Sequence, residues 1–132
     1  VRLSSSIGKR LPAYCTSLGK SLLSNCTREE LDQLYPEPLV PITANTVKDL
    51  DTLYEQLQTV KRTSISIEQG EIHPDISCIS TPLVRNGVIA ASISVSVPTF
   101  RFTDEKRRQI EQLLLASKPR LEKLLEQNEL IH

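Results

Sequence analysis

In the run from Ala91 to Pro98, Ser92, Ser94 and Ser96 alternate with Ile93, Val95 and Val97. An extended strand places such a set as hydroxyls on one face and branched apolar side chains on the other. A row of small hydroxyls can bind a polar ligand, since each donates and accepts. It can equally face water on a half-solvated sheet, which is the commoner arrangement. Cys78 lies in a second β-rich run, ahead of Asn86-Gly87. A lone strand cysteine is most often a small buried hydrophobe. No base stands at a fixed spacing from it, so no catalytic residue is expected.

Other groups carry weaker signals. Glu68 and Glu71 are by default solvated. A carboxylate repels an anionic ligand unless it is protonated or bridged by water, so Glu68 suits a ligand hydroxyl better. Gly19-Lys20-Ser21 has the look of a phosphate loop but lacks the upstream glycine. The start of a helix near Ser17, Leu18 and Gly19 would still offer free backbone N–H groups to an anion. His73 and His132 are too few and too distant for a metal site, and no cofactor is implied. Cys15, Cys26 and Cys78 have no CxxC spacing and fit reduced thiols in a cytoplasmic protein.

The elements that must position these groups follow from pattern. Residues 1–5 read as a short strand and 4–12 as a loop. A helix is expected from Ser17 to Asn25, and Thr27-Arg28-Glu29-Glu30 has the capping-box form for a second helix ending near Tyr35. Pro36, Pro38 and Pro41 force an irregular loop. Asn45 or Thr46 should cap a third helix to about Arg62, with Leu50, Leu53, Leu57 and Val60 on one face. Ser64 to Glu68 reads as a strand, then a loop, then a hairpin. A three-residue loop Arg85-Asn86-Gly87, pairing Val84 with Val88, segregates the faces. Cys78, Ser80, Ser92, Ser94 and Ser96 then lie opposite Ile79, Thr81, Leu83, Ile89, Ala91, Ile93 and Val95. A bulge near Pro82 would restore the same parity. Thr103 should cap a last helix whose stripe is Ile110, Leu113, Leu114, Leu121, Leu124 and Leu125, with a kink or restart at Pro119. The order is α+β.

The 132 residues make one domain, and sixteen basic residues balance sixteen acidic ones. That balance argues against nucleic acid or a membrane held by bulk charge. The five aromatic residues form no stacking platform, and Lys106-Arg107-Arg108 reads as a solvated helix face. No apolar run is long enough to span a bilayer and no signal peptide opens the chain. The chain starts without methionine inside the strand-like Val1-Arg2-Leu3, which reads as a fragment of a longer protein.

Several pieces together resemble the effector-binding domain of IclR-family bacterial transcription regulators. They are Leu11-Pro12, the run Cys15 to Leu23, Thr46 with Leu50, Glu68 and Glu71 ahead of Ile76 to Pro82, and the strand Ala91 to Pro98. The resemblance implies a GAF-like antiparallel sheet flanked by helices, in a fragment lacking its first helix and strands and the N-terminal winged-helix DNA-binding domain. It implies a transcription regulator, often a repressor, whose effector is a small organic acid. It also implies a homodimer or homotetramer that reaches DNA only through the absent domain. Carried over by position, the pocket residues are Ser17, Leu18, Glu68, Cys78, Ser94 and Ser96, with Gly19 in the same turn. Leu18 stands where the family has a small residue, and His73-Pro74-Asp75 replaces the family's glycine. A hydroxy- or keto-acid is the expected ligand. Two rival readings are a Cys78-dependent enzyme and a ligand-free dimerisation module.

Overall fold

The computed structural model describes residues 10–127, so the strand expected at residues 1–5 lies outside the described residues. Helix α1 spans Ser17–Leu23, α2 Arg28–Leu34 and α3 Leu50–Thr63. Strands β1 (Ser66–Gln69), β2 (Ile76–Arg85) and β3 (Val88–Pro98) form an antiparallel sheet in the order β1-β2-β3, and α4 (Asp104–Gln127) closes the chain. The architecture is α+β, as expected. No described helix is long and apolar enough to cross a membrane.

Local chemistry sets the helix starts. Thr27 accepts from the Glu30 N–H while the Glu30 carboxylate accepts from the Thr27 N–H, which completes the capping box of α2. For α3 the cap is Asp49, accepting the Thr52 N–H at 2.7 Å, rather than Asn45 or Thr46. Thr46 is committed elsewhere. Its hydroxyl accepts from the N–H groups of Ile42 and Thr43 and donates to the Glu71 carbonyl.

The hairpin corrects one expectation and keeps another. Arg85 pairs with Val88 across a two-residue turn, with Asn86 at φ 53° and Gly87 at φ 78°. Both are left-handed, the signature of a type I′ turn. The expected three-residue loop is therefore absent. The register then shifts between Leu83, opposite Ala91, and Val84, opposite Ile89, leaving Ala90 as the extra residue of a bulge. Beyond it the parity is the expected one. Cys78 faces Ser96 and Ser80 faces Ser94, while Ile79 faces Val95 and Thr81 faces Ile93. Ile89, assigned to the apolar face, pairs with Val84 instead. Burial of the apolar face selects the register, and the bulge reconciles it with the turn.

Each face of the sheet has its own core. On one side Ile65, Ile79, Val97, Ile110 and Leu114 pack together. On the other, Tyr14, Cys15, Leu31, Val47, Leu53 and Leu57 form the core of the helical layer. The stripe expected on α4 is only partly used. Ile110 and Leu114 are buried, Leu121 and Leu125 half-buried, and Leu113 and Leu124 exposed. The inward row instead continues at four-residue spacing through Lys118 and Glu122. Lys118 donates to the Pro82 carbonyl, and Glu122 accepts the Val84 N–H at 2.6 Å. These strand groups lie past Ser80, which pairs with Ser66 at the start of β1, so β1 does not cover them. The end of the sheet thus offers α4 backbone polar groups rather than an apolar surface. Helix α4 runs through Pro119 as one element, so of the two expected outcomes, a kink or a restart, the restart does not occur.

Candidate functional site

The β1–β2 and β2–β3 registers align residues of three strands in rows. Glu68 faces Cys78, which faces Ser96. In the next row Ser66 faces Ser80, which faces Ser94. Directly opposed residues share a sheet face, so Glu68, Cys78, Ser94 and Ser96 look the same way. The Cys78 Sγ and Ser96 Oγ are 3.2 Å apart. Helix α1 lies against this face: the Ser80 hydroxyl donates to the Ser17 carbonyl at 2.8 Å and lies 2.8 Å from the Ser21 hydroxyl.

Between α1 and the sheet lies a pocket of about 110 Å³. Its polar wall is Thr16, Ser17, Glu68, His73, Cys78, Ser94 and Ser96, and its apolar wall is Leu11, Leu18, Ile72 and Ile76. Six of the seven residues singled out from the sequence meet here. Gly19 does not line the pocket. Its N–H donates to Thr16 Oγ1 at 2.9 Å, and the Thr16 carbonyl takes the Lys20 N–H. That leaves Ser17 and Leu18 as the first-turn donors. Gly19 is needed for packing: a Cβ there would lie 2.2 Å from the Ala13 carbonyl oxygen. Ser94 and Ser96 are exposed at the mouth, whereas Ser17 and Glu68 are buried at the back.

The electrostatics at the back are set by burial. Glu68 is 3% exposed. Desolvation pushes its carboxyl up to about 7, the neighbouring Glu71 charge adds to the rise, and the Glu71 N–H donated to Oε2 opposes it. Near neutral pH a large share of Glu68 is protonated, which removes the repulsion that a carboxylate would exert on an anion. Burial also raises the Cys78 thiol, against an opposing hydrogen bond from Ser96. A thiol so placed is a poor nucleophile. Cys15 is fully buried and pushed up to about 12 by desolvation.

Behind the pocket Lys20 and Glu71 form an ion pair, 1% and 7% exposed at their side chains. The other Glu71 oxygen accepts the Val47 N–H at 2.8 Å. This pair ties α1 to the β1–β2 loop that carries Ile72 and His73. The His73 Nδ1 accepts the Asp75 N–H at 3.2 Å. Sequence reasoning missed this brace, and it missed Thr16, Ile72 and Ile76. Thr16 had a local signal, a threonine directly before the helix start. Lys20 and Glu71 had none, being 51 residues apart. Among the described residues no group of histidine, cysteine and acidic side chains could hold a metal ion.

Residues 1–122 match the family described as bacterial transcriptional regulator IclR C-terminal. The regulator KdgR of Dickeya chrysanthemi is 30% identical over 116 residues, covering 86% of this chain and 38% of that protein. The chain spans under half the length of the curated relatives it matches. Those relatives are named as transcriptional regulators and repressors, not enzymes. The crystal structure of the Agobacterium tumefaciens repressor BlcR superposes with a TM-score of 0.85 at 30% identity, over 91% of this chain and 49% of that one. A double mutant of the inducer-binding domain of PobR from Acinetobacter, in complex with 3-hydroxybenzoic acid, gives 0.82 at 28%, over 94% and 74%.

Proposed function

Because the chain belongs to the IclR family of bacterial transcriptional regulators, over its C-terminal region, we propose that it senses a small organic acid for such a regulator. The observation that carries this reading is the single row Glu68, Cys78 and Ser96 across three strands, closed over by Ser17 of α1. The ligand's oxygens meet the hydroxyls of Ser94 and Ser96 and the thiol of Cys78. Its carboxylate lies toward the first-turn N–H groups of Ser17 and Leu18, and protonated Glu68 donates to it. The pocket is well below the roughly 300–1,000 Å³ of drug-sized sites, which favours a short hydroxy- or keto-acid. The inducer-binding domain of PobR, which holds a hydroxybenzoic acid, supports an acid with a hydroxyl.

In the whole protein we place this chain in the cytoplasm as the effector domain of a homodimer or homotetramer. It acts there on a DNA-binding domain outside this chain. Effector binding shifts assembly or domain arrangement by favouring one of two states. A thermal-shift screen against small hydroxy- and keto-acids tests the reading, because a ligand of the native state raises its apparent stability. One such acid should stabilise the chain. By calorimetry, Ser94→Ala and Ser96→Ala should each weaken it by up to about a hundredfold without loss of fold. Undiminished binding by both variants would move the site elsewhere.

A further inference from the structure

Asn86 and Gly87 form the tip of the β2–β3 hairpin, and both are exposed. They stand at φ 53° and φ 78°, with nothing within 4 Å of where a Gly87 Cβ would lie. The ladder bonds of a two-residue hairpin fall on the flanking pair, Arg85 and Val88, so the Gly87 N–H stands outside the ladder. The Asn86 carboxamide is thus followed by a backbone nitrogen that no side chain screens.

Asn25 and Asn45 are also exposed, but they are placed differently. The nitrogen after each is committed. The Cys26 N–H donates to the Leu23 carbonyl at 2.9 Å, and the Thr46 N–H to the Thr43 carbonyl at 3.4 Å. Each of these nitrogens also belongs to a residue with a side chain.

We propose that Asn86 is a site of spontaneous covalent modification, with Gly87 as the nucleophile and water as the co-reactant. Hydroxide takes the Gly87 amide proton, and the nitrogen attacks the Asn86 side-chain carbonyl carbon. The new carbon–nitrogen bond closes a succinimide ring. The carboxamide carbon–nitrogen bond breaks, and ammonia leaves with a proton from water. Water then opens the ring at one of its two carbonyls. One opening gives aspartate in an unchanged main chain. The other gives isoaspartate, whose main chain runs through the former side chain and is one methylene longer. No electron is transferred. Glycine favours the attack because its backbone turns through conformations closed to other residues.

The hairpin shows where the damage stops. Its turn needs left-handed backbone at both central residues, and isoaspartate inserts a carbon between them. Pairing from Val84 to Ile89 should therefore loosen. The bulge at Ala90 separates that end from Ser94 and Ser96, whose register is held by burial of the apolar face.

The test is to hold the isotope-labelled chain in mildly alkaline buffer at body temperature and to sample it over days. The tryptic peptide from Asn86 to Arg101 should gain about one dalton, several-fold faster than the peptides carrying Asn25 and Asn45. An isoaspartate-specific methyltransferase should label the aged chain. Asn86→Gly keeps the turn and should abolish both signals. Asn86→Asp carries the new charge without the extra methylene, so it should lack the mass gain and keep the tip paired. Amide shifts of the aged chain should move between residues 84 and 90 beyond those of Asn86→Asp, with Ser94 and Ser96 unmoved. Equal mass gain at Asn25 or Asn45, or full labelling of aged Asn86→Gly, would overturn the proposal. Shifts that reach Ser94 would overturn the limit set by the bulge.

Discussion

Burial holds the Glu68 carboxyl near 7, against about 4.5 when it is free. Between those values the folded chain binds a proton that the unfolded chain releases, so this group's contribution to stability is full below about pH 4.5 and is lost as pH rises through 7. Glu68→Gln should therefore flatten the pH dependence of stability in that window and raise stability at pH 8, by on the order of 3 kcal/mol at most. Urea unfolding at a series of pH values measures this. The same proton bears on the proposed effector. Affinity for an anionic acid should fall above pH 7, by up to about tenfold per pH unit, and Glu68→Gln should remove that fall. Calorimetry in buffers of different ionisation enthalpy would show the proton uptake directly. The ion pair behind Glu68 behaves differently. Lys20→Met strands the buried Glu71 charge and should cost about 3–5 kcal/mol, whereas Lys20→Met combined with Glu71→Leu should recover much of that loss. Denaturant midpoints of the two variants decide it.

At the scale of elements, the β2–β3 hairpin depends on a left-handed pair. Gly87 sits at φ 78° with open space where a Cβ would be, so Gly87→Val meets backbone strain alone. A loss of about 1–3 kcal/mol in thermal unfolding is expected, with the serine face retained. Much of this level could be read from the chain. The period-two alternation of Ser92 to Val97 assigned both faces, because a half-buried strand has only one acceptable parity. Thr27 with Glu30 announced a helix start, because both partners lie within one turn. What escaped depended on distant partners. The favoured three-residue loop is not found, while the alternative of a bulge near Pro82 is, at Leu83/Val84, and it keeps the faces as read. Thr46 looked like a cap because its type suits one, but Glu71, Ile42 and Thr43 had claimed its hydroxyl. On α4 the leucines suggested the buried stripe. Which row faces inward was decided by the unpaired carbonyl of Pro82 and N–H of Val84, which only the assembled sheet reveals.

At the scale of the whole molecule, zero net charge and the absence of a helix-turn-helix pattern in the sequence lead to one expectation. This chain alone should show no nanomolar affinity for a promoter fragment at physiological salt, and a fluorescence-anisotropy titration checks it. The two cores, one on each face of the sheet, have a consequence for how the molecule breathes. Proteins open in cooperative pieces whose free energies differ. The helical layer and the β1–β2 loop, tied together by the Lys20–Glu71 pair, should open as one such piece, joined to the sheet through the Ser80 hydroxyl. The sheet and α4 form the other. In hydrogen exchange the amides of α1 should lose protection before those of β2. An effector wedged between the layers would slow α1 toward the rate of the strands, so that the occupied pocket is recorded as time rather than as shape.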